Sequence, residues 1–260
     1  MSTTRRRAVS RAHSVADLQA SARRRIADGQ ASAKEFADQV GDQFDDMVDA
    51  VKPHLRGWLH TVMAPLAVLA GIILTALAPT TGTRIAAAVF TVTAGLLFGV
   101  SAIYHRGNWS PKTDLFLRRF DHANIFLIIA GSYTPFATLL PRRQATTLLV
   151  IVWSGAIAGV LFRILWVNAP RWLYVPIYCA LGWIAIFYIK PLFEHGGAAI
   201  VTLVAVGGLL YTLGAIVYGT KRPNPSPRWF GFHEIFHAFT IAAFTAHFIA
   251  AALATHSAAV

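Results

Sequence analysis

The feature that most constrains this chain is a series of long apolar segments that occupies nearly everything after residue 52. Seven segments are each close to the ~20 residues that an α-helix needs to cross the hydrocarbon core of a bilayer. Only 13% of the residues are charged, against about 25% in a soluble domain. The sequence therefore predicts an all-α integral membrane protein with seven transmembrane helices. Their approximate bounds are 57–78, 84–105, 120–140, 145–165, 171–190, 198–219 and 232–256.

Lysine and arginine are distributed unevenly between the two sides of this predicted bundle. The loops after the second, fourth and sixth segments carry nine of them, whereas the loops after the first, third and fifth carry four. Because positively charged loops tend to stay in the cytoplasm, the N-terminus is predicted to be cytoplasmic and the C-terminus to lie outside. Contact with an anionic leaflet also accounts for the net charge of +11. No helix-turn-helix or base-stacking motif accompanies that charge, so we expect no nucleic-acid partner.

Residues 1–52 differ in composition and are predicted to form a polar cytoplasmic tail, separate from a membrane domain at 53–260. Eight of the twelve acidic residues lie in this tail, and it has no apolar stretch like that of a secretory signal. Apolar residues recur at helical spacing from Phe36 to Val51. This spacing predicts an amphipathic helix on the membrane or on the protein's own cytoplasmic surface. Residues 1–30 are equally compatible with a partly disordered tail.

Three histidines are predicted to meet near the cytoplasmic ends of two helices. His233 and His237 begin the last segment at a spacing of four, so both imidazoles can reach one metal ion. His105 ends the second segment, and the predicted topology brings it to the same depth. Ionisable groups there are costly unless they pair or bind a metal. Three histidines with one open position are typical of a catalytic zinc site, although the pattern leaves open other divalent ions that accept imidazole.

Asp121, at the start of the third segment, and Ser101, four residues before His105, are the predicted catalytic residues. Asp121 would hold and deprotonate a metal-activated water, and Ser101 would hydrogen-bond to Asp121 or to the substrate. His247 follows His237 by ten residues, about 280° round the helix, and is expected to point elsewhere. His122 is expected to face headgroups or a neighbouring helix. Four further histidines, His54, His60, His195 and His256, are expected to be interfacial.

Three motifs occur in order along the predicted helices. They are Ser101-x-x-x-His105, the run from Phe120-Asp121-His122-Ala123-Asn124 into Ala130-Gly131-Ser132-Tyr133-Thr134-Pro135-Phe136, and His233-x-x-x-His237 followed by His247-Phe248. Together they resemble the hemolysin III family, the bacterial branch of the progestin and adiponectin receptor (PAQR) family. The resemblance covers about residues 52–256, essentially the whole membrane domain.

This resemblance implies seven transmembrane helices with a cytoplasmic N-terminus and a zinc ion near the cytoplasmic side. The implied zinc ligands are His105, His233 and His237, with Asp121 beside the metal-activated water and Ser101 nearby. The wider superfamily includes alkaline ceramidases, which implies hydrolysis of a lipid amide. Bacterial members are linked to membrane-lipid homeostasis, so membrane lipids in the cell membrane are the expected partners. The sequence does not indicate an oligomeric state.

Other functions stay open at this point. A sensor of membrane state could use the same zinc structurally. His233-Glu234-x-x-His237 also matches the HExxH motif of metalloproteases, with Glu234 as the base. Such intramembrane proteases need a membrane-embedded carboxylate as third ligand, and the only Asp-Gly pair, Asp28-Gly29, is in the polar tail. A pore-forming cytolysin is suggested by the family's name alone.

Overall fold

The computed structural model describes residues 29–30 and 53–258, and helices dominate this part of the chain. The predicted amphipathic helix at 36–51 lies outside the described residues. The β-structure found within them is one isolated bridge between Ser226 and Phe230. The helices are α1 (Trp58–Leu77), α2 (Thr81–Arg106), α3 (Pro111–Ala137), α4 (Arg142–Leu165), α5 (Arg171–Gly182), α6 (Ile189–Thr220) and α7 (Phe232–Ser257), with a 3-10 segment at Trp183–Tyr188.

Five helical runs in the described part of the chain are long and apolar enough to cross a membrane. They are α1, α2, α4, the continuous run Arg171–Thr220 and α7. Helix α3 is not among them; its first eleven positions contain five charged residues, and polar residues such as His122 and Asn124 lower the hydropathy of the rest. The prediction of an all-α, multi-pass membrane protein is confirmed for the described residues. The number of crossings and the sides on which the termini lie stay predictions.

Local capping explains why α3 begins nine residues before the predicted start at 120. The Ser110 hydroxyl accepts a hydrogen bond from the Thr113 amide at 3.4 Å, and Pro111 occupies the first helical position. Proline is favoured there because the first turn has no intrahelical use for its missing N–H. The helix therefore starts in a polar stretch that hydropathy does not detect. Asp121 consequently lies three turns inside α3 rather than at its first turn.

The predicted helix at 171–190 is correct only as far as Gly182, where the chain tightens into the 3-10 segment. The Tyr133 hydroxyl donates to the Gly182 carbonyl at 2.6 Å and accepts from the Ala185 amide at 2.9 Å. A buried side chain thus replaces backbone hydrogen bonds that the break removes. Farther along, Gly197 has φ +78° and ψ 177°, which interrupts the helical geometry of α6. The α-helical geometry of the 50-residue run Arg171–Thr220 is therefore interrupted twice.

Helix α7 packs against four other helices of the described bundle. It packs against α6 and also contacts α1, α2 and α3. Small buried residues on α7, among them Ala243, Ala250 and Ala254, allow the neighbouring backbones to approach closely. Phe90 of α2 stacks on Phe244 of α7 at 5.4 Å between ring centroids. This packing places the last turn of α2 beside the first turns of α7.

Candidate metal centre

His105, His233 and His237 form a compact group where α2 ends and α7 begins. The Nε2 atoms of His105 and His233 are 3.2 Å apart, and one ligand nitrogen from each of the three residues lies within 4.8 Å of the others. Two nitrogens bound to one tetrahedral zinc ion at about 2.0–2.1 Å would be about 3.3–3.4 Å apart. The spacing between His105 and His233 therefore fits a shared metal ion, and the group could hold one.

Asp121 and Ser101 lie beside the three histidines, and they line the same cavity as His233 and His237. The Asp121 Oδ2 atom is 3.7 Å from the His105 Nε2 atom, and the Ser101 side chain lies beside the Asp121 carboxyl group. The structure thus brings together all five predicted site residues from three helices. Their chemical roles stay predictions.

His60 on α1 is a site residue that the sequence analysis missed. Its ring stacks on that of His237 at 3.7 Å and 11° between planes, and its Nδ1 atom is 2.8 Å from the Ser101 hydroxyl. It is only 2% exposed, so the expectation of an interfacial position is wrong. The available signal was its helical face, which His60 shares with the small residues Ala67 and Gly71. His60 fixes the orientation of a predicted metal ligand and of Ser101.

Glu234 within the HExxH sequence has structural partners. Its Oε2 atom accepts a hydrogen bond from the Gly231 amide at 2.7 Å, and its Oε1 atom accepts one from the Arg56 Nε atom at 3.2 Å. The segment before α1 also donates backbone hydrogen bonds to Arg228 and Trp229. Glu234 therefore caps α7 and fastens the start of α1 to it.

The described histidines that were not predicted to be metal ligands lie outside the three-histidine group. The His122 Nε2 atom is 3.2 Å from the Tyr218 hydroxyl on α6, so this residue faces a neighbouring helix. His247 lies outside the group of three ligands, as its helical spacing predicted, but it lines the cavity that begins at this group. His54 packs against Trp229 at 4.7 Å. His195 and His256 are exposed.

The cavity that begins at the histidines extends between the helices toward the middle of the bundle. It has a volume of about 170 Å³ and is bounded mainly by parts of α3, α5, α6 and α7 and the 3-10 segment, with His60 of α1 and Leu97 and Ser101 of α2 at one end. Aliphatic and aromatic side chains form most of its wall, as in a site for an apolar ligand. Examples are Ile125, Ile129, Phe136, Ile186 and Val201. A hydrocarbon chain could occupy this space while its polar end reaches the histidines.

Gly57, the residue before α1, packs directly against His105. Its φ of +81° favours glycine, and a Cβ atom there would lie 2.8 Å from the His105 Cβ. We expect Gly57→Ala to destabilise the fold by about 1–2 kcal/mol and to weaken metal binding by displacing His105. Thermal unfolding and zinc titration would measure both effects.

The matched control for this substitution is Gly99→Ala, on the same helix as His105. A Cβ atom at Gly99 would meet nothing within 4 Å. This variant should keep the wild-type zinc affinity. Equal zinc affinities for Gly57→Ala and Gly99→Ala would contradict the close-packing account of His105.

Comparison with known proteins agrees with the motifs. A family model described as "Haemolysin-III related" matches residues 48–248. The chain belongs to the hemolysin III family. It is 37% identical over 186 residues to "Hemolysin-3" of Bacillus cereus, covering 70% of this chain and 82% of that protein. It is 36% identical over 163 residues to "Hemolysin-3 homolog" of Bacillus subtilis (strain 168), covering 62% and 72%. This hemolysin III family member is therefore a multi-pass protein of the cell membrane.

Proposed function

We propose that this hemolysin III family member is a zinc-dependent hydrolase that cleaves an amide or ester bond of a membrane lipid, with a role in membrane-lipid homeostasis. The observation that carries the proposal is a three-histidine group that opens into an apolar cavity beside a carboxylate. The Asp121 carboxylate lies 3.7 Å from the His105 nitrogen. Metal ligands, a group that can move a proton and an apolar binding space are thus contiguous.

The residues present fit a zinc ion. The donor set contains three imidazoles, ligands that zinc accepts readily, and the 3.2 Å separation of two of their nitrogens matches an edge of a tetrahedron. The His60 Nε2 atom beside them is buried and has no hydrogen-bond partner among the described residues. When bound, zinc supplies Lewis acidity, which lowers the pKa of a coordinated water from 15.7 to about 7.

The side chains of the protein would then orient the water molecule and transfer its proton. The Asp121 carboxylate orients a water molecule toward the acyl carbon and accepts its proton as the oxygen–carbon bond forms. Asp121 returns that proton to the leaving nitrogen or oxygen while the carbon–nitrogen or carbon–oxygen bond breaks. The products are a fatty acid and an amine or alcohol. Ser101, which hydrogen-bonds to His60 and lies beside Asp121, helps to keep the carboxylate in position.

We also propose seven membrane crossings with the N-terminus in the cytoplasm and the C-terminus outside. The break at Gly197 supports this number because it divides the run Arg171–Thr220 into two parts, each long enough to span the core. The surplus of lysine and arginine in alternate loops supports the orientation. The histidine group then faces the cytoplasmic leaflet, from which a lipid substrate would enter.

The test is release of fatty acid by detergent-purified, zinc-loaded protein from a panel of ceramides, other acyl amides and phospholipids. Turnover of at least one lipid, abolished by a chelator and restored by zinc, is the expected result. Failure to release fatty acid from every member of the panel would contradict the hydrolase proposal.

The second candidate is a membrane-state sensor in which the metal is structural. It is favoured by the position of the histidines, which join the end of α2 to the start of α7. In a sensor, His237→Ala would abolish cellular function whereas Asp121→Ala would not. Loss of function with both substitutions favours catalysis.

Two further candidates have less support. In a metalloprotease Glu234 would act on the water, but here its carboxylate binds Arg56 and the Gly231 amide. No feature of the described residues specifically favours a pore-forming cytolysin.

A further inference from the structure

His247 belongs to the third motif, yet the proposed reaction gives it no role. It follows His237 by ten residues on α7, which corresponds to about 15 Å along the helix. That distance is about half of the ~30 Å hydrocarbon core, so in the proposed topology, with His237 at the cytoplasmic boundary of the core, His247 lies near the middle of the bilayer. The residue lines the same cavity as the three-histidine group. An ionisable side chain at this depth is a functional candidate by default.

The hydrogen bonding of His247 leaves one nitrogen as an acceptor. Its Nε2 atom is 3.2 Å from the Val204 carbonyl oxygen on α6. Because a carbonyl oxygen can only accept, Nε2 donates, and in the neutral ring Nδ1 then carries a lone pair without a proton. The Nδ1 atom is buried and has no hydrogen-bond partner among the described residues. A residue of the cavity wall therefore has a buried acceptor without a hydrogen-bond partner among the described residues.

Close packing holds this ring in place. Gly207 on α6 leaves room for it, since a Cβ atom there would lie 2.5 Å from the His247 Nε2 atom and would also contact Cδ2. Tyr211 and Phe136 contact the ring edge-to-face, with centroids 5.5 and 6.0 Å away. The orientation of Nδ1 is thus set by three helices. A fixed acceptor is suited to recognising a donor at a defined depth.

We propose that His247 recognises a hydroxyl group on the hydrocarbon chain of the lipid held in this cavity. This inference rests on the proposed function, because it assumes that the chain of a lipid substrate or product occupies the cavity. A hydroxyl can donate to Nδ1, whereas a plain hydrocarbon chain leaves the acceptor unsatisfied. An ether or ketone oxygen cannot supply the proton either. The preferred ligands are therefore lipids hydroxylated part-way along an acyl chain.

The test compares binding of ricinoleate, which has a mid-chain hydroxyl, with binding of oleate, which lacks it. Isothermal titration of the zinc-loaded, detergent-purified protein measures both affinities without requiring turnover. One neutral hydrogen bond should make ricinoleate bind about fivefold to tenfold more tightly to the wild type. His247→Phe should bind the two fatty acids equally. His195→Phe, which changes an exposed histidine, should keep the wild-type preference.

A second pair of variants keeps the test decisive if His247→Phe fails to fold. Gly207→Ala retains His247 but displaces its ring, so it should reduce the preference for ricinoleate. Gly219→Ala, on the same helix, is the matched control because Gly219 does not line the cavity and a Cβ atom there would meet Val175 at an ordinary contact distance of 3.8 Å. This control should keep the preference.

The outcomes separate this inference from the proposed function. Equal affinities of the wild type for the two fatty acids, as expected if a water molecule satisfies Nδ1, would overturn the role of His247 and leave lipid binding intact. A preference that persists in both His247→Phe and Gly207→Ala would overturn it as well. If neither fatty acid binds the wild type, the lipid-binding cavity itself is contradicted.

Discussion

Asp121→Asn should lower lipid hydrolysis by about a hundredfold to ten-thousandfold while leaving the metal bound. Asparagine has nearly the same size as aspartate, but its amide group cannot accept a proton from water. The His105 ring, 3.7 Å away, should stay in place because it is also packed against His233 and His237. Fatty-acid release and metal content, measured on the same purified sample, would separate loss of chemistry from loss of the site.

The matched control is Asp114→Asn, in the first turn of the same helix. Asp114 does not line the cavity, so its replacement should alter only the stability of the helix start, by about 0.3–1 kcal/mol. Wild-type turnover by Asp121→Asn would contradict the proton-transfer role of Asp121. Loss of metal together with activity would show that Asp121 positions His105 instead.

Arg56→Ala should strongly lower the free energy of unfolding, because it removes the cation that pairs with the buried carboxylate of Glu234. The side chain of Glu234 is only 1% exposed and that of Arg56 is 11% exposed. Removing the cation leaves a buried carboxylate without its partner, which costs about 3–5 kcal/mol. Thermal unfolding of the purified protein in detergent measures the effect. The exposed pair of Lys190 and Glu194 is the comparison, and Lys190→Ala should cost at most about 0.5 kcal/mol.

Combining Arg56→Ala with Glu234→Gln should recover part of this stability. Glutamine is neutral, so it does not require the guanidinium, and its oxygen can still accept from the Gly231 amide. Glu234→Gln alone should keep lipid hydrolysis, whereas a metalloprotease mechanism requires its loss. Equal unfolding temperatures of Arg56→Ala and Lys190→Ala would contradict the structural role of this ion pair.

The three-histidine group was predictable because it depends on regular features of the sequence. His233 and His237 share a helix face by spacing, and counting alternating segments brings His105 to their depth. His60 was not predictable in the same way. It is a lone histidine on α1 with no partner at helical spacing, and its contact with His237 arises from the packing of α7 against α1.

The helix boundaries show the same division between local and tertiary causes. Hydropathy located the apolar parts of the helices but not the polar start of α3, which depends on the cap at Ser110 and Pro111. The break after Gly182 is stabilised by Tyr133 from α3, a partner about fifty residues away. The cavity is bordered by that break and by six helices packed together. Neither the break after Gly182 nor the cavity can be derived from the periodicity of a single segment.

We propose that His105, His233 and His237 together bind one zinc ion. Elemental analysis of the purified protein tests this zinc site most directly. The wild type should contain about one zinc per chain, and His237→Ala should contain almost none because two imidazoles hold the ion too weakly. His195→Ala, which changes an exposed histidine, should match the wild type. Absence of metal from the wild type after purification with zinc, or an undiminished zinc content in His237→Ala, would contradict the three-histidine site.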